Sequence, residues 1–327
     1  MTAASTLDRS LILNAVRVTE AAAIAASRLT GRGDEMAADQ AAVDAMRTML
    51  NGLDINGTVV IGEGERDQAP MLYIGEKVGT GSGPEVDIAL DPLEGTTITA
   101  TGGPGALAVL ALSEKGGFLN APDVYMDKIA VGGGLPAGVV DLDNSPADNI
   151  RALAKALGRT PSEVVACILD RPRHAKIIEE VRASGARIRL IPDGDIAGVI
   201  ATSDADTGID IYLGTGGAPE GVLAAAALAA IGGQMQGRLI FRNDDERGRA
   251  ARFGITDFDR KYDLADLADG DILFAASGVT DGSMLEGVRP TKDGLSTETV
   301  VMRAKTGTVR WIKAHHATER GLLQILE

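Results

Sequence analysis

Apolar positions at helical spacing open the chain. Leu7, Leu11, Ala15, Val18 and Ala22 recur three or four residues apart until Gly31 and Gly33 break the pattern. A second helix is predicted over about 36–50, with Val43, Met46 and Leu50 on its apolar face. The rhythm then changes to short apolar runs ended by glycine. Residues 58–61 read as a strand running into Gly62-Glu-Gly-Glu65, and 85–90 as a strand feeding straight into Asp91-Pro-Leu-Glu-Gly-Thr96. Further strands are predicted at 106–112 and 127–131. Paired leading helices followed by strands predict an N-terminal α+β sheet domain over residues 1–145.

Strands then alternate with helices. The strands are 164–169, 187–191 and 209–213, and the helices that follow them are 175–183, 196–202 and 222–231. This alternation predicts right-handed crossovers and a C-terminal, mostly parallel α/β sheet domain over residues 146–327, packed against the first half. Three polar segments follow the strands: Asp170-Arg-Pro-Arg-His174, Asp193-Gly-Asp195 and Gly214-Thr-Gly-Gly-Ala-Pro-Glu220. Read as loops, all three lie at the carboxyl edge of the sheet, where open parallel sheets bind ligands. Residues 242–270 are densely charged and read as a solvated loop with short helices. A strand at 271–276 and a hairpin of 299–305 with 308–314 around Gly307 complete the pattern.

Composition narrows the function. The 327 residues suffice for two packed domains. No apolar run approaches the roughly 18 residues of a membrane span, and the start shows no secretory signal. Cys167, the single cysteine, has no partner for an intramolecular disulfide, which suits a reducing cytoplasm; its apolar setting reads as a buried strand. A net charge of −14 with 3% aromatic residues argues against a nucleic-acid partner. An acidic chain that binds an anionic substrate needs the repulsion neutralised, and divalent cations held by carboxylates do this.

The carboxylates fall where such cations are needed. Glu63 and Glu65 are two apart at a strand end, so both can face one side. Asp91 and Glu94, three apart around Pro92, can converge in a tight turn or a first helical turn. Oxygen ligands with only three histidines in the chain favour Mg²⁺ or Mn²⁺ over zinc or copper. A helix starting after Glu94 would turn free N–H groups near Gly95 and Thr96 towards the same pocket. Either segment alone reads equally as surface charge or as a capped helix start; together they are a sharper signal.

Asp91-Pro-Leu-Glu-Gly-Thr96 resembles the D-P-[IL]-[DE]-G-[ST] motif of the lithium-sensitive, metal-dependent sugar and inositol phosphatases. Ile61-Gly-Glu-Gly-Glu65, Ala69-Pro-Met-Leu-Tyr-Ile-Gly75, Phe118-Leu-Asn-Ala-Pro-Asp123 and Gly216-Gly-Ala-Pro-Glu-Gly221 narrow the likeness to class II fructose-1,6-bisphosphatase over nearly the whole chain. The resemblance implies the sugar phosphatase fold. It implies metal ligands Asp39, Glu63, Asp91, Glu94 and Glu220. Substrate contacts would be Glu94, Gly95, Thr96 and Tyr125, the Arg171-Pro172-Arg173 segment, the Asp193-Gly194-Asp195 loop, and Gly217. It departs from the broader superfamily in having Glu-Gly-Glu for adjacent glutamates and the Gly-Gly-Ala-Pro-Glu-Gly segment for a Trp-Asp motif. Arg171 stands where the family often has lysine.

The implied reaction is hydrolysis of the 1-phosphate of fructose 1,6-bisphosphate with Mn²⁺ or Mg²⁺, in a cytoplasmic homo-oligomer of two or four chains. Thr96 would orient or deprotonate the water with Glu63 or Glu65, or attack directly. Arg171 and Arg173 would form two prongs for the distal phosphate, and Asp193 and Asp195 would accept sugar hydroxyls. Sedoheptulose 1,7-bisphosphate is an alternative substrate, since one more carbon changes reach and not chemistry. A sensor without catalysis fits poorly with five intact acids, and no glycine loop carries a nucleotide-binding pattern. Read without the family, Tyr125 is a packing aromatic, His315 and His316 are the polar end of a strand, and His174 borders the phosphate segment.

Overall fold

The computed structural model describes Leu7, residues 10–64 and residues 71–317. Helices α1 (Ser10–Ser27) and α2 (Glu35–Asn51) come first. Strands β1 (Asn56–Ile61), β2 (Lys77–Val78) and β3 (Glu85–Glu94), the short helix α3 (Thr96–Thr101) and β4 (Leu107–Glu114) follow. Next come β5 (Tyr125–Gly132), α4 (Pro146–Leu157), β6 (Val165–Leu169), α5 (Ala175–Ala183), β7 (Arg187–Ile191) and α6 (Asp195–Ile200). The chain goes on through β8 (Ile211–Gly217), α7 (Ala218–Ile231), β9 (Gly233–Ile240), α8 (Asp244–Arg252), β10 (Lys261–Asp263) and α9 (Leu264–Leu267). It closes with β11 (Ile272–Gly278), β12 (Arg289–Pro290), β13 (Gly294–Arg303) and β14 (Thr308–Ala317).

These elements form two units, 1–118 with 270–327, and 119–269. The division differs from the expected 145/146 because strand pairing, not chain order, builds each sheet. β5 pairs with β8 and β9, so it joins the second unit. β11 pairs with β4 along Ile272–Gly278, so the chain returns to the first.

The first unit is α+β. Its sheet runs β12-β13-β11-β4-β3-β1-β2, with β14 paired along the whole of β13, and among the described residues only β1 with β3 is parallel. Ala15, Ala22 and Ala26 of α1 are fully buried in the same core as Met46, Ile88, Leu110 and Leu273. Small side chains let that helix lie close to its neighbours. Gly307, at φ 56, turns the hairpin between β13 and β14 as its sequence predicts.

The second unit is α/β, ordered β10-β9-β5-β8-β6-β7. The expected parallel core is β7-β6-β8, and β5, β9 and β10 extend it antiparallel. Cys167 lies fully buried in β6, its thiol pushed up to about 12 by burial.

Buried acids also lie in the first unit away from the motifs, Glu20 among them. Glu20 of α1 is 3% exposed and accepts a hydrogen bond from the Thr297 hydroxyl at 3.1 Å. His316 Nε2 lies 2.9 Å from that hydroxyl, so this histidine joins a buried polar group and does not simply end a strand. Burial raises the Glu20 pKa to about 7, against the opposing pull of Thr297 and Arg17. The folded state therefore holds the proton longer than the unfolded chain does. Stability falls as pH rises from about 4.5 to about 7, by on the order of 1–3 kcal/mol. Glu20→Gln keeps an acceptor for Thr297 and removes the charge. It should raise Tm by a few degrees at pH 8 and leave it unchanged near pH 4.5, followed by calorimetry at both pH values. An equal shift at both would dismiss the titration.

Candidate active site

The acidic segments of the first unit are set by strand register. β1 and β3 run parallel with Ile61 opposite Ala89, so the chain leaves β1 beside the acidic end of β3. A Cβ on Gly62 would sit 2.1 Å from the Leu72 carbonyl oxygen, so only glycine fits, and the Glu63 N–H donates to that oxygen at 3.1 Å. Glu65 lies outside the described residues.

Asp91 to Glu94 does not form the expected turn, because β3 runs on through Glu94. Asp91 pairs with Val109 and Glu94 with Leu107, so the three-residue step on β3 matches a two-residue step on β4. This bulge absorbs Pro92, which has no N–H for the ladder. It also corrects the pleat. Residues three apart on a regular strand face opposite sides, whereas partners two apart on β4 share one. The bulge thus sets Asp91 and Glu94 opposite two β4 residues that share one face.

Gly95, at φ 91, turns the chain from β3 into α3, and Thr96 is the first helical residue, partly exposed. Two backbone bonds hold α3 to the turn before α2: Gly31 N–H to Thr99 O at 2.8 Å and Gly33 N–H to Ala100 O at 2.9 Å. Asp34 caps α2, accepting from the Ala37 N–H at 2.9 Å. Asp39 follows just over one turn later, half-buried, with its pKa raised by burial. Among the described residues no three His, Cys, Asp or Glu side chains gather as a metal cluster.

In the second unit, Gly214-Thr-Gly-Gly217 is the end of β8, not a loop, and Ala218-Pro-Glu220 opens α7 with proline in its first turn. At two of the glycines a carboxylate lies where a side chain would begin. A Cβ on Gly216 would meet Asp195 Oδ2 at 2.2 Å, and one on Gly217 would meet Glu220 Oε2 at 1.9 Å. Lys128, 1% exposed in β5, donates to Asp195 and to the Gly217 carbonyl at 2.8 Å. Glu220 Oε2 is shielded from solvent and accepts no hydrogen bond among the described residues. Burial and the Asp195 charge raise the Glu220 pKa to about 7, with Lys128 opposing. A buried carboxylate oxygen without a donor fits a cation as its partner.

Arg171 and Arg173 do not form parallel prongs. Arg171 is extended and reaches Asp193 at 3.7 Å, while Pro172 to His174 tighten into a 3₁₀ turn. Arg173 goes elsewhere: Nε and Nη2 both donate to the Thr215 carbonyl, at 3.0 and 2.8 Å, and its guanidinium lies 5.1 Å from the centroid of the Tyr125 ring. Arg242 lies against the same ring at 5.1 Å. Tyr125 is therefore a half-buried platform between two cations, not a core aromatic. Asp193, beside Gly194 at φ 85, has its pKa raised by burial against the pull of Arg171. Asp195, expected to take sugar hydroxyls, is already engaged by Lys128.

His174 positions the arginine segment. It is fully buried; its Nε2 accepts the Thr215 N–H at 2.8 Å, so Nδ1 carries the proton and donates to Leu169 O at 2.7 Å. Burial, with the Arg173 charge, lowers its pKa, which keeps the ring neutral. Lys128, Arg242 and the Thr215 to Asp127 hydrogen bond have no counterpart in the sequence reading. Lys128 carried a usable signal: a lysine inside an apolar strand is either paired or costly.

A sequence model of the family described as "Bacterial fructose-1,6-bisphosphatase, glpX-encoded" matches residues 9–316. The chain is 48% identical over 328 aligned positions to "Fructose-1,6-bisphosphatase 1 class 2" of Escherichia coli K12, covering 96% of this chain and 97% of that protein. "Fructose-1,6-bisphosphatase class 2" of Shigella flexneri matches with the same identity and coverage. With a backbone contact that enforces Gly62 and carboxylates seated against Gly216 and Gly217 inside the motifs that carry the likeness, the chain belongs to the bacterial, glpX-encoded fructose-1,6-bisphosphatase family.

Proposed function

We propose that this chain hydrolyses the 1-phosphate of fructose 1,6-bisphosphate, giving fructose 6-phosphate and inorganic phosphate, with Mn²⁺ or Mg²⁺ bound. Family membership supports the reaction, and the unpartnered, shielded Oε2 of Glu220 carries the metal requirement. Asp39, Glu63, Asp91 and Glu94 of the first unit, and Glu220 of the second, are each oxygen donors of the kind that hard divalent cations take. Such a cation, when bound, lowers the pKa of a water and stabilises charge on phosphoryl oxygens.

The chain's own groups supply position and proton transfer. Thr96 orients the attacking water, and Glu63 or Glu65 accepts its proton. Gly95 and Thr96 present backbone N–H groups to the phosphoryl oxygens. Arg171 and Arg173 hold the distal phosphate beside Tyr125 and Gly217, and Asp193 meets the sugar hydroxyls. Lys128 holds Asp195 in place beside Gly216.

No helix among the described residues is long and apolar enough to cross a membrane. The reading places the enzyme in the cytoplasm, which suits its buried thiol, as a homodimer or homotetramer that sedimentation would size. Phosphate release is the direct test, with fructose 1,6-bisphosphate, sedoheptulose 1,7-bisphosphate and fructose 6-phosphate as substrates. One phosphate should leave each fructose 1,6-bisphosphate, only with Mn²⁺ or Mg²⁺ added to chelated protein. Absence of release with every cation would end the proposal, and full activity after verified metal removal would end its metal requirement.

A further inference from the structure

Within the first unit, the cleft where α1 ends, α3 ends and the 279–290 segment passes has a volume of about 570 Å³. That is the size of a pocket for a small organic molecule and far larger than orthophosphate needs. Its polar side carries Arg28, Thr30 and Arg289; its apolar side carries Pro104, Val288 and Leu295. Arg28 has no ion pair or hydrogen bond among the described residues, in a chain with 46 acidic and 32 basic side chains. Across the cleft, Arg289 is held in place by Asp281 at 3.0 Å and Glu286 at 3.5 Å. Both nearby acids, Asp281 and Glu286, are taken up by Arg289, which leaves Arg28 as the lining cation with no acid against it among the described residues.

Two other cavities lack this feature. The one beside Arg171, about 540 Å³, balances Arg171 and Arg182 with Asp170 and Glu179. The one along β9, about 300 Å³, has Asp263 and no cation. We propose that the cleft at Arg28 is a regulatory site for a small organic phosphate or phosphonate whose apolar group covers Pro104, Val288 and Leu295. The unpaired guanidinium takes the anionic head, for which a planar fork is suited.

The cleft is tied to the catalytic segment through α3. That helix is six residues long, about 9 Å at 1.5 Å per residue, with Thr96 at its start and the cleft residue Gly102 capping its end. The turn after Arg28 is hydrogen-bonded to Thr99 and Ala100 of the same helix. The 279–281 wall is fastened just behind it, by Val279 N–H to Ala106 O at 2.9 Å and Ala106 N–H to the Thr280 hydroxyl at 3.0 Å. A ligand spanning Arg28, Gly102 and Val279 touches three segments that converge on α3, so its binding shifts the seat of Thr96.

Phenylphosphonate is the probe, since its C–P bond is not a phosphatase substrate. Calorimetry on the chelated full chain should show saturable binding that Arg28→Ala weakens about tenfold or more and Arg173→Ala leaves unchanged. In Mn²⁺-loaded enzyme the probe should change kcat for fructose 1,6-bisphosphate about fivefold, an effect that Arg28→Ala abolishes while keeping the basal rate. Only this second arm rests on the proposed function; the calorimetry decides the site even if the chain has another substrate. No binding, or binding that Arg28→Ala leaves intact, overturns the site. Binding with unchanged kcat, or an effect on KM alone that survives Arg28→Ala, overturns the coupling to α3.

Discussion

Glu220→Gln should lower kcat for fructose 1,6-bisphosphate by about 10² or more, the scale of losing one positioned electrostatic group, and yet leave the metal-free protein at least as stable as before. Glutamine keeps the volume of the side chain in the first turn of α7 and removes its charge. In the native chain that charge is costly: Oε2 is shielded from solvent and accepts no hydrogen bond among the described residues, and Asp195 adds repulsion that Lys128 only partly offsets. A site built for a cation carries such a cost when the cation is absent, and the cation's binding free energy repays it. The variant should therefore melt at the same or a higher temperature with chelator, and gain less in Tm when Mn²⁺ is added. Activity and two melting curves suffice. A Glu220→Gln protein with native kcat and the native Tm response to Mn²⁺ would move the ligand role elsewhere.

What the sequence revealed and what it hid follow from how far away each cause lies. Helix α5 and strand β7 have the predicted bounds, and α2 lies within one residue of them, because their periodicity and flanking residues are local. The hairpin at Gly307 was legible for the same reason. The glycines of Gly214-Thr-Gly-Gly217 misled: glycine normally signals a loop, but here strand β8 continues through them because the carboxylates of Asp195 and Glu220 occupy the space of a Cβ. Pro92 misled similarly, since a proline that reads as a turn can also sit in a bulge. The address of β5 was hidden altogether, because its apolar pattern is silent about which sheet it joins. Of the candidate site, the acidic and glycine-rich segments were legible as the motifs that carry the family likeness. The bonds that hold them, through Lys128, His174 and Thr215, link residues about 40 to 90 positions apart and were not.

Arg173→Ala should raise KM for fructose 1,6-bisphosphate about tenfold or more, with a smaller loss in kcat. Among the described residues Arg173 pairs with no acid. Its two bonds to the Thr215 carbonyl and its stacking on Tyr125 set the guanidinium in place before substrate arrives, with the full positive charge available. A preset side chain loses little freedom on binding, so a charge-assisted phosphate contact of about 1.5–3 kcal/mol is delivered nearly whole. Arg171 differs, because Asp193 at 3.7 Å already draws on its charge. Arg171→Ala should accordingly cost less than Arg173→Ala. Arg173→Lys should fall between, since an ammonium cannot reproduce the two donors on Thr215 or the flat contact with Tyr125. Fructose 1-phosphate separates anchoring from a general effect, because it presents the scissile group without the distal one. Its kcat/KM should change little in Arg173→Ala. If both substrates lose the same factor, Arg173 serves the chemistry or the fold, and the distal phosphate is held by other groups.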